Sequence, residues 1–410
     1  MHRRKGYGPL KILLVDDDRD DLDLLGATLK KCGHEVLTAS NGSEAWEISR
    51  RSDCRLVITD WNMPGMDGAE LVRRIRSDGG APYTYLILIT GHADQAALRE
   101  GMEAGADDFL GKPVNAVELT ARLRVAERIL RLQEDLLERN RKDQEHLGHM
   151  QKMLQSAARV QRSLLPSKAP SLKSVSASWR SEPCEELGGD IFNLFQADEH
   201  HLALYVLDVS GHGVPAALLA VQVSRLMTPL LSAGSVLKAR LEGPPGYRLL
   251  SPLEVLEELN RAFPIQGTSS QFFTMLYGLL DLRTHRLDLA SAGHPGPTLI
   301  RTSGEAETIG VSSHPIGWFA SGQAQFMACS LSLEPGDRIY LYSDGVTECE
   351  DARGQIFGAD QLRETLRLGQ HGSLEATLRA VMEALREWRR GAPLADDVTL
   401  VALERLRNSP

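Results

Sequence analysis

The chain has 410 residues, 42% of them hydrophobic, too many for one ordinary domain and apolar enough for real cores, so two or three domains are expected. Its formal net charge is −9 with no concentrated basic stripe, which argues against a nucleic-acid-binding output. The five cysteines, Cys32, Cys54, Cys184, Cys329 and Cys349, lie far apart with no Cys-x-x-Cys pair, the usage of thiols in a reducing compartment.

The opening MHRRKGYGPLKILLVDDD has basic residues and then an apolar run too short for a signal-peptide core. No apolar stretch is long enough to span a bilayer, so a cytoplasmic location without a membrane partner is expected. Residues 10–15, 55–60 and 85–90 (LKILLV, RLVITD, YLILIT) are continuous apolar runs, as in strands buried on both faces. Helical patterns lie between them, and the alternation predicts a doubly wound α/β domain on a parallel five-stranded sheet. Ligands bind such sheets beyond the carboxyl ends of the strands. Asp16, Asp17, Asp60 and Thr90 stand there, and Lys112 follows the fifth strand. Three carboxylates at one sheet edge repel one another unless a cation joins them, and oxygen-only ligands suit Mg²⁺.

With the motifs VDDD, TDWNMPGMDG, ITGHAD and FLGKPVN, residues 10–125 resemble the receiver domain of two-component response regulators. The resemblance implies that Asp60 is the phosphoacceptor, served by a sensor histidine kinase or phosphotransfer protein. It implies a Mg²⁺ site made by Asp16, Asp17, Asp60 and the backbone carbonyl of Asn62. Thr90 and Lys112 would contact the phosphoryl group, Lys112–Pro113 would be cis, and Phe109 would be the switching aromatic.

Residues 116–165 contain no proline and one glycine, Gly148, and are dense in strong helix formers. Alternating steps of three and four put Leu119, Leu123, Ala126, Leu130, Gln133, Leu137, Asn140, Gln144, Leu147, Gln151, Leu154, Ala158, Gln161 and Leu165 on one seam. That pattern predicts a coiled-coil linker and, through it, a homodimer. At 1.5 Å per residue the helix is on the order of 70 Å long. Its polar seam residues, Gln133, Asn140, Gln144 and Gln151, lower pairing stability in exchange for register.

Residues 166–407 open with a Pro166 turn cluster and then run through seven strand-like segments, with helical stretches at about 214–232, 252–263, 359–369 and 373–390. Strands with segregated helices predict an α+β fold. Residues 233–251 have no clear period and read as a long loop or flap. Aspartates stand at strand ends beside glycine: Gly188-Gly189-Asp190, Asp208 before Ser210-Gly211-His212-Gly213, Asp344-Gly345, and Asp396-Asp397. Separated carboxylates without cysteine or paired histidine favour hard cations, Mg²⁺ or Mn²⁺. Two such ions about 4 Å apart clamp a phosphate and activate a water.

The motifs QRSLLP, GGDIFN, DVSGHGVPAALL, FFTMLYG, SAGHPGP, PGDRIYLYSDGVTE and DDVTL make about 160–405 resemble the metal-dependent serine/threonine phosphatase (PPM) superfamily, in its bacterial SpoIIE-like branch. The resemblance implies an αββα sandwich that hydrolyses phosphoserine or phosphothreonine with two Mn²⁺ or Mg²⁺. The implied ligands are Asp190, Asp208, the Val209 carbonyl, Asp344 and Asp396, with Asp397 as the alternative to Asp396. The substrate implied is a phosphorylated anti-sigma-factor antagonist. Asn193 departs from the pattern, since the family usually has a carboxylate there. His212 and His294 are either structural or a general acid. Two other readings remain: a non-catalytic phosphatase-fold adaptor, and a diguanylate cyclase, whose Gly-Gly-Asp motif needs a carboxylate where Ile191 stands.

Overall fold

The computed structural model describes residues 9–78, 82–91, 95–230, 235–264, 271–310, 313–320 and 322–407, except the side chains of 95–98. The chain divides into two compact units at Gly148 and His149, and each is described by itself.

The first unit runs β1 (Lys11–Val15), α1 (Arg19–Lys31), β2 (Glu35–Ala39), α2 (Gly42–Arg51), β3 (Leu56–Asp60), α3 (Gly68–Ser77), β4 (Tyr85–Thr90), α4 (Gln95–Ala104), β5 (Asp108–Gly111) and the start of α5 (Ala116–Arg162). The five strands are parallel in the order β2-β1-β3-β4-β5. β3 and β4 are buried along their whole length, as their unbroken apolar runs demand. One sheet face packs on Ala45, Ala69, Leu71, Val72 and Ala104 of α2, α3 and α4. The other packs on Leu25 and Leu29 of α1 and on Leu119, Leu123, Ala126 and Leu130 of α5.

That last contact revises the reading of the seam. Its first four residues belong to the core of the first unit, so they are not free for a partner helix. At the other end, Leu154 and Ala158 pack with Leu187 and Ala217 inside the second unit. Between them Leu137 and Leu147 are more than half exposed. An amphipathic helix on a sheet and a coiled-coil strand share nearly the same period, which is why the sequence pattern ran through all three stretches. Ion pairs of Arg141 with Glu138 and Glu145 and of Lys142 with Glu138 support the exposed middle.

The second unit continues with β6 (Val175–Glu182), β7 (Ile191–Gln196), β8 (His201–Val209), α6 (Val214–Leu226), β9 (Lys238–Arg240), β10 (Tyr247–Leu249), α7 (Pro252–Ala262), β11 (Phe273–Asp281) and β12 (Arg286–Ala292). It ends with β13 (Thr298–Ile300), β14 (Ala306–Thr308), β15 (Met327–Ser332), β16 (Arg338–Tyr342), α8 (Asp344–Thr347), α9 (Ala359–Leu368), α10 (Leu374–Arg389) and β17 (Val398–Arg405). Two five-stranded sheets, β15-β12-β11-β8-β7 and β14-β13-β16-β17-β6, face each other. Leu204, Val206, Leu276 and Leu289 of one meet Leu299, Ile339, Leu341, Val401 and Leu403 of the other. α6 and α7 cover the first sheet, and α9 and α10 cover the second. The domain is an αββα sandwich.

Two details differ from expectation. α6 stops at Leu226, short of 232, because Pro229 lacks the N–H and excludes helical backbone before it. The stretch expected as a loop at 233–251 contains an antiparallel pair, β9 with β10, around a cis Pro244–Pro245 bond. Residues 231–234 lie outside the described residues. No helix among the described residues is long and apolar enough to cross a membrane.

Because Leu123 is packed inside the first unit, Leu123→Ala should cost about 2–5 kcal/mol of that unit's stability, read as a lower denaturant midpoint of its transition in the full chain.

Candidate active site

Each unit gathers acidic residues at the ends of its strands. In the first, Asp16, Asp17 and Asp60 each place an oxygen within 4.8 Å of the others. Asp60 ends β3 and is 6% exposed. α3 starts close above it, and a Cβ at Gly68 would collide with the Asp60 carbonyl. Lys112 Nζ lies 3.0 Å from Asp16 Oδ2, 3.0 Å from Asp21 Oδ2 and 3.1 Å from Asp60 Oδ1. Burial raises the Asp60 carboxyl above its ordinary value, and Lys112 offsets this in part. Thr90 is buried at the end of β4, and Lys112–Pro113 is cis. Asn62 is exposed, in the turn two residues past Asp60. Phe109 lies against the backbone of α4, so close that a Cβ at Gly101 would stand 2.6 Å from its ring. Asp21 was not singled out in the sequence, although it lies in the same acidic run.

In the second unit Asp190, Asp208, Asp344, Asp396 and Asp397 converge from the loop before β7, the end of β8, the start of α8 and the lead into β17. Asp190 is 9% exposed, and its two oxygens are buried without a well-oriented hydrogen-bond partner. Hydroxyls of Ser343 and Thr399 stand beside it. Burial, then repulsion from Asp208 and Asp397, pushes its carboxyl well above the usual range. Asp208 is pushed up to about 8 by burial and by Asp344, Asp396 and Asp397. Asp344 and Asp396 are raised too, chiefly by burial. One oxygen of Asp344 is also buried without a partner. The Val209 carbonyl borders the site, 3.0 Å from where a Cβ at Gly189 would sit.

Asp397 is used differently from its neighbour. Its Oδ1 accepts from the Cys184 amide at 2.8 Å, and its Oδ2 from the amides of Gly189 at 2.6 Å and Asp190 at 3.2 Å. This carboxylate therefore ties down the Gly188–Asp190 loop. Asp396 accepts from the Asp397 amide at 2.8 Å. Gln161, near the end of α5, is buried and donates to the Gly188 carbonyl at 2.7 Å. In the sequence Gln161 was placed only on the seam of the long helix, and Glu348, whose charge repels Asp208 and Asp344, was not singled out, though both lie within the quoted motifs.

His294 is buried, meets Thr274 Oγ1 through Nδ1 at 2.7 Å and is driven down to about 3 by burial, so it is neutral. His212 is exposed, with Nδ1 2.9 Å from Glu185 Oε1. Asn193 turns its amide oxygen to the Leu194 N–H, 2.8 Å away.

A sequence model of the stage II sporulation protein E (SpoIIE) family matches residues 198–406, and one of the response regulator receiver domain matches residues 12–124. The chain belongs to the SpoIIE family. It joins a SpoIIE-type phosphatase domain to a receiver domain. Phosphoserine phosphatase RsbU of Bacillus subtilis is 29% identical over 253 residues, 62% of this chain and 70% of RsbU. Chemotaxis protein CheY1 of Helicobacter pylori is 36% identical over 118 residues, 28% of this chain and 95% of CheY1. The SiaA-PP2C domain of Pseudomonas aeruginosa shares the fold of the SpoIIE-family unit, with TM-score 0.52 and 22% identity over 64% of this chain and 98% of that one.

The raised carboxyls give a pH prediction. In metal-free protein Asp208 holds its proton up to about pH 8, whereas the unfolded chain gives it up near the ordinary carboxylate value, so folding loses stability as pH rises between the two. Asp208→Asn removes that linkage. The metal-free variant should be more stable than wild type, by a margin that grows from pH 5 to pH 8, as read by thermal unfolding with a chelator present.

Proposed function

We propose that the chain is a response regulator in which phosphorylation of Asp60 controls a metal-dependent protein serine/threonine phosphatase. The observation that carries the catalytic half is the buried carboxylate of Asp190, repelled by Asp208 and Asp397 and offset only by the hydroxyls of Ser343 and Thr399. Burying like charges this way is costly unless they take up protons or a cation. All-oxygen donors fit Mg²⁺ or Mn²⁺. Asp190, Asp208, Asp344, Asp396 and the Val209 carbonyl would hold such ions, which would neutralise the carboxylates, bind phosphate and acidify a water. Asp396 is preferred over Asp397 because three amides already occupy the latter. In the receiver, Asp16, Asp17, Asp60 and the Asn62 carbonyl would hold Mg²⁺, with Lys112 and Thr90 on the incoming phosphoryl group. A sensor histidine kinase or phosphotransfer protein would donate it.

The likeness to RsbU, named a phosphoserine phosphatase, supports a phosphoserine protein as substrate, and a phosphorylated anti-sigma-factor antagonist is the specific reading. For control, α5 offers a route. Its first turns are core of the receiver, and Gln161 in its last turn holds the Gly188 carbonyl, two residues from Asp190. The exposed middle, from Gln133 to Gln151, is the part left for pairing with a second copy.

Two results are expected. With Mn²⁺ the protein should release phosphate from a phosphoserine protein. Removing outer partners of metal ligands alone costs 10–100-fold, so Asp208→Ala and Asp344→Ala should lose more than about 100-fold; equal rates in wild type and variants would sink the catalytic reading. Beryllofluoride on the receiver should change that rate, and Asn140→Leu with Gln144→Leu, which makes the exposed seam apolar, should abolish the response.

A further inference from the structure

Trp318 is a large aromatic residue left 49% exposed, and much of its surroundings is spent on keeping it so. Its loop is fastened to the start of β11, where Phe273 and Ile316 exchange backbone hydrogen bonds of 3.1 and 2.9 Å. Gly317 then turns with φ of 81°, a value that suits glycine. It packs so closely that a Cβ there would stand 3.3 Å from the Phe263 carbonyl. Asn260 of α7, 3% exposed, grips both neighbours of the tryptophan. Its Oδ1 accepts from the Gly317 amide at 3.1 Å, and its Nδ2 donates to the Phe319 carbonyl at 3.4 Å. The indole meets the Phe272 ring edge-on, with centroids 4.5 Å apart. A single exposed apolar side chain needs no explanation; a buried amide and a constrained glycine that hold one in place do.

Phe272 brings this ledge to the candidate active site. Its carbonyl accepts from the Ser210 amide at 2.9 Å, and its amide donates to Ser210 Oγ at 3.0 Å. Ser210 directly follows Asp208 and Val209. β11 and β8 pair with Thr274 opposite Asp208. Leu276 and Val206 face the opposing sheet, and side chains alternate along a strand, so Thr274 and Asp208 share that face. Phe272, just before the strand, has the same parity. The stacked pair lies at the rim where Asp208 stands.

We infer that Trp318, backed by Phe272, is an aromatic ledge that binds an apolar residue flanking the phosphoserine of the protein substrate and so selects among phosphoproteins. The inference rests on the phosphatase reading above. Every phosphoserine segment brings the same phosphate and backbone to the aspartates. Only one with an apolar flank covers the exposed indole, and burying that area is favourable. Tryptophan is enriched among the few residues that carry most of the binding energy of an interface.

The test uses the full chain with Mn²⁺ and two short phosphoserine peptides, one with leucines in both flanks and one with glycines in their place. A third substrate, p-nitrophenyl phosphate, has no flanks. Wild type should prefer the leucine peptide at least about tenfold in kcat/KM, chiefly through KM, since truncating an anchoring tryptophan costs that much or more. Trp318→Ala should abolish the preference, and Trp318→Phe should keep most of it. A wild type that treats the two peptides alike, or a preference that survives in Trp318→Ala, overturns the inference, while its hydrolysis of p-nitrophenyl phosphate leaves the phosphatase reading intact. A wild type that hydrolyses none of the three overturns both. Independently of turnover, with a chelator present, the leucine peptide should shift the indole N–H proton signal that Trp318→Ala lacks, and the glycine peptide should leave it in place; a signal unmoved by the leucine peptide also overturns the inference.

Discussion

Like charges held close together in a dry place are the constraint on which the rest of this chain depends. Both units meet it at strand ends, and they answer it differently. In the receiver a single ammonium, Lys112, reaches three carboxylates at once, so the cluster is partly neutral before any ligand arrives. In the phosphatase domain the relief comes from small dipoles: hydroxyls beside Asp190, an amide on Asp396 and the nearby imidazole of His212. Those offsets do not balance the burial, as the elevated carboxyls of Asp190 and Asp208 attest. The first centre carries its own counter-cation, whereas the second leaves its carboxyls raised above their ordinary range.

The sheets exist to make these edges. Opposed strands of the sandwich bring Asp208 at the end of β8 and the loop before β7 to the same rim as the β16–α8 turn and the approach to β17. Residues far apart in sequence, such as Gly189 and Asp397, then meet through a 2.6 Å hydrogen bond. Packing between the sheets by Leu204, Val206, Leu341 and Val401 supplies the rigidity that keeps repelling groups from drifting apart.

Much of this was legible in the sequence, for physical reasons that also mark where legibility stopped. Strands buried on both faces, such as 85–90, announce themselves by unbroken apolar runs. Edge strands such as β15, largely exposed, do not, and short β13 and β14 carry too few residues for a period to register. Aspartate at a strand end with glycine close by in sequence pointed to Asp190, Asp208 and Asp344, because glycine lets neighbouring backbone pack closely around a polar group. Nothing in the dipeptide Asp396-Asp397 says which carboxylate turns inward and which binds amides; only the folded loop at 184–190 separates them. Glu185 and Gln161 act through single contacts set by tertiary placement. A single contact has no period, so neither role stood out, although Gln161 itself lay on the periodic seam of the long helix.

Asp397 sits between two glycines. A Cβ at Gly188 would stand 2.6 Å from its side chain, and one at Gly345 would collide with its carbonyl. The three positions form a lock whose parts cannot be exchanged one at a time. A larger residue at Gly188 collides with the carboxylate, one at Gly345 collides with the backbone carbonyl of the same aspartate, and replacing Asp397 strips three amides of their acceptor. Drift at this spot requires simultaneous changes, which are rare. Gly188, Gly345 and Asp397 should therefore persist together in descendants whose surrounding sequence has diverged widely, and serve as a signature of common ancestry even where Asp190, Asp208 and Asp344 have been replaced.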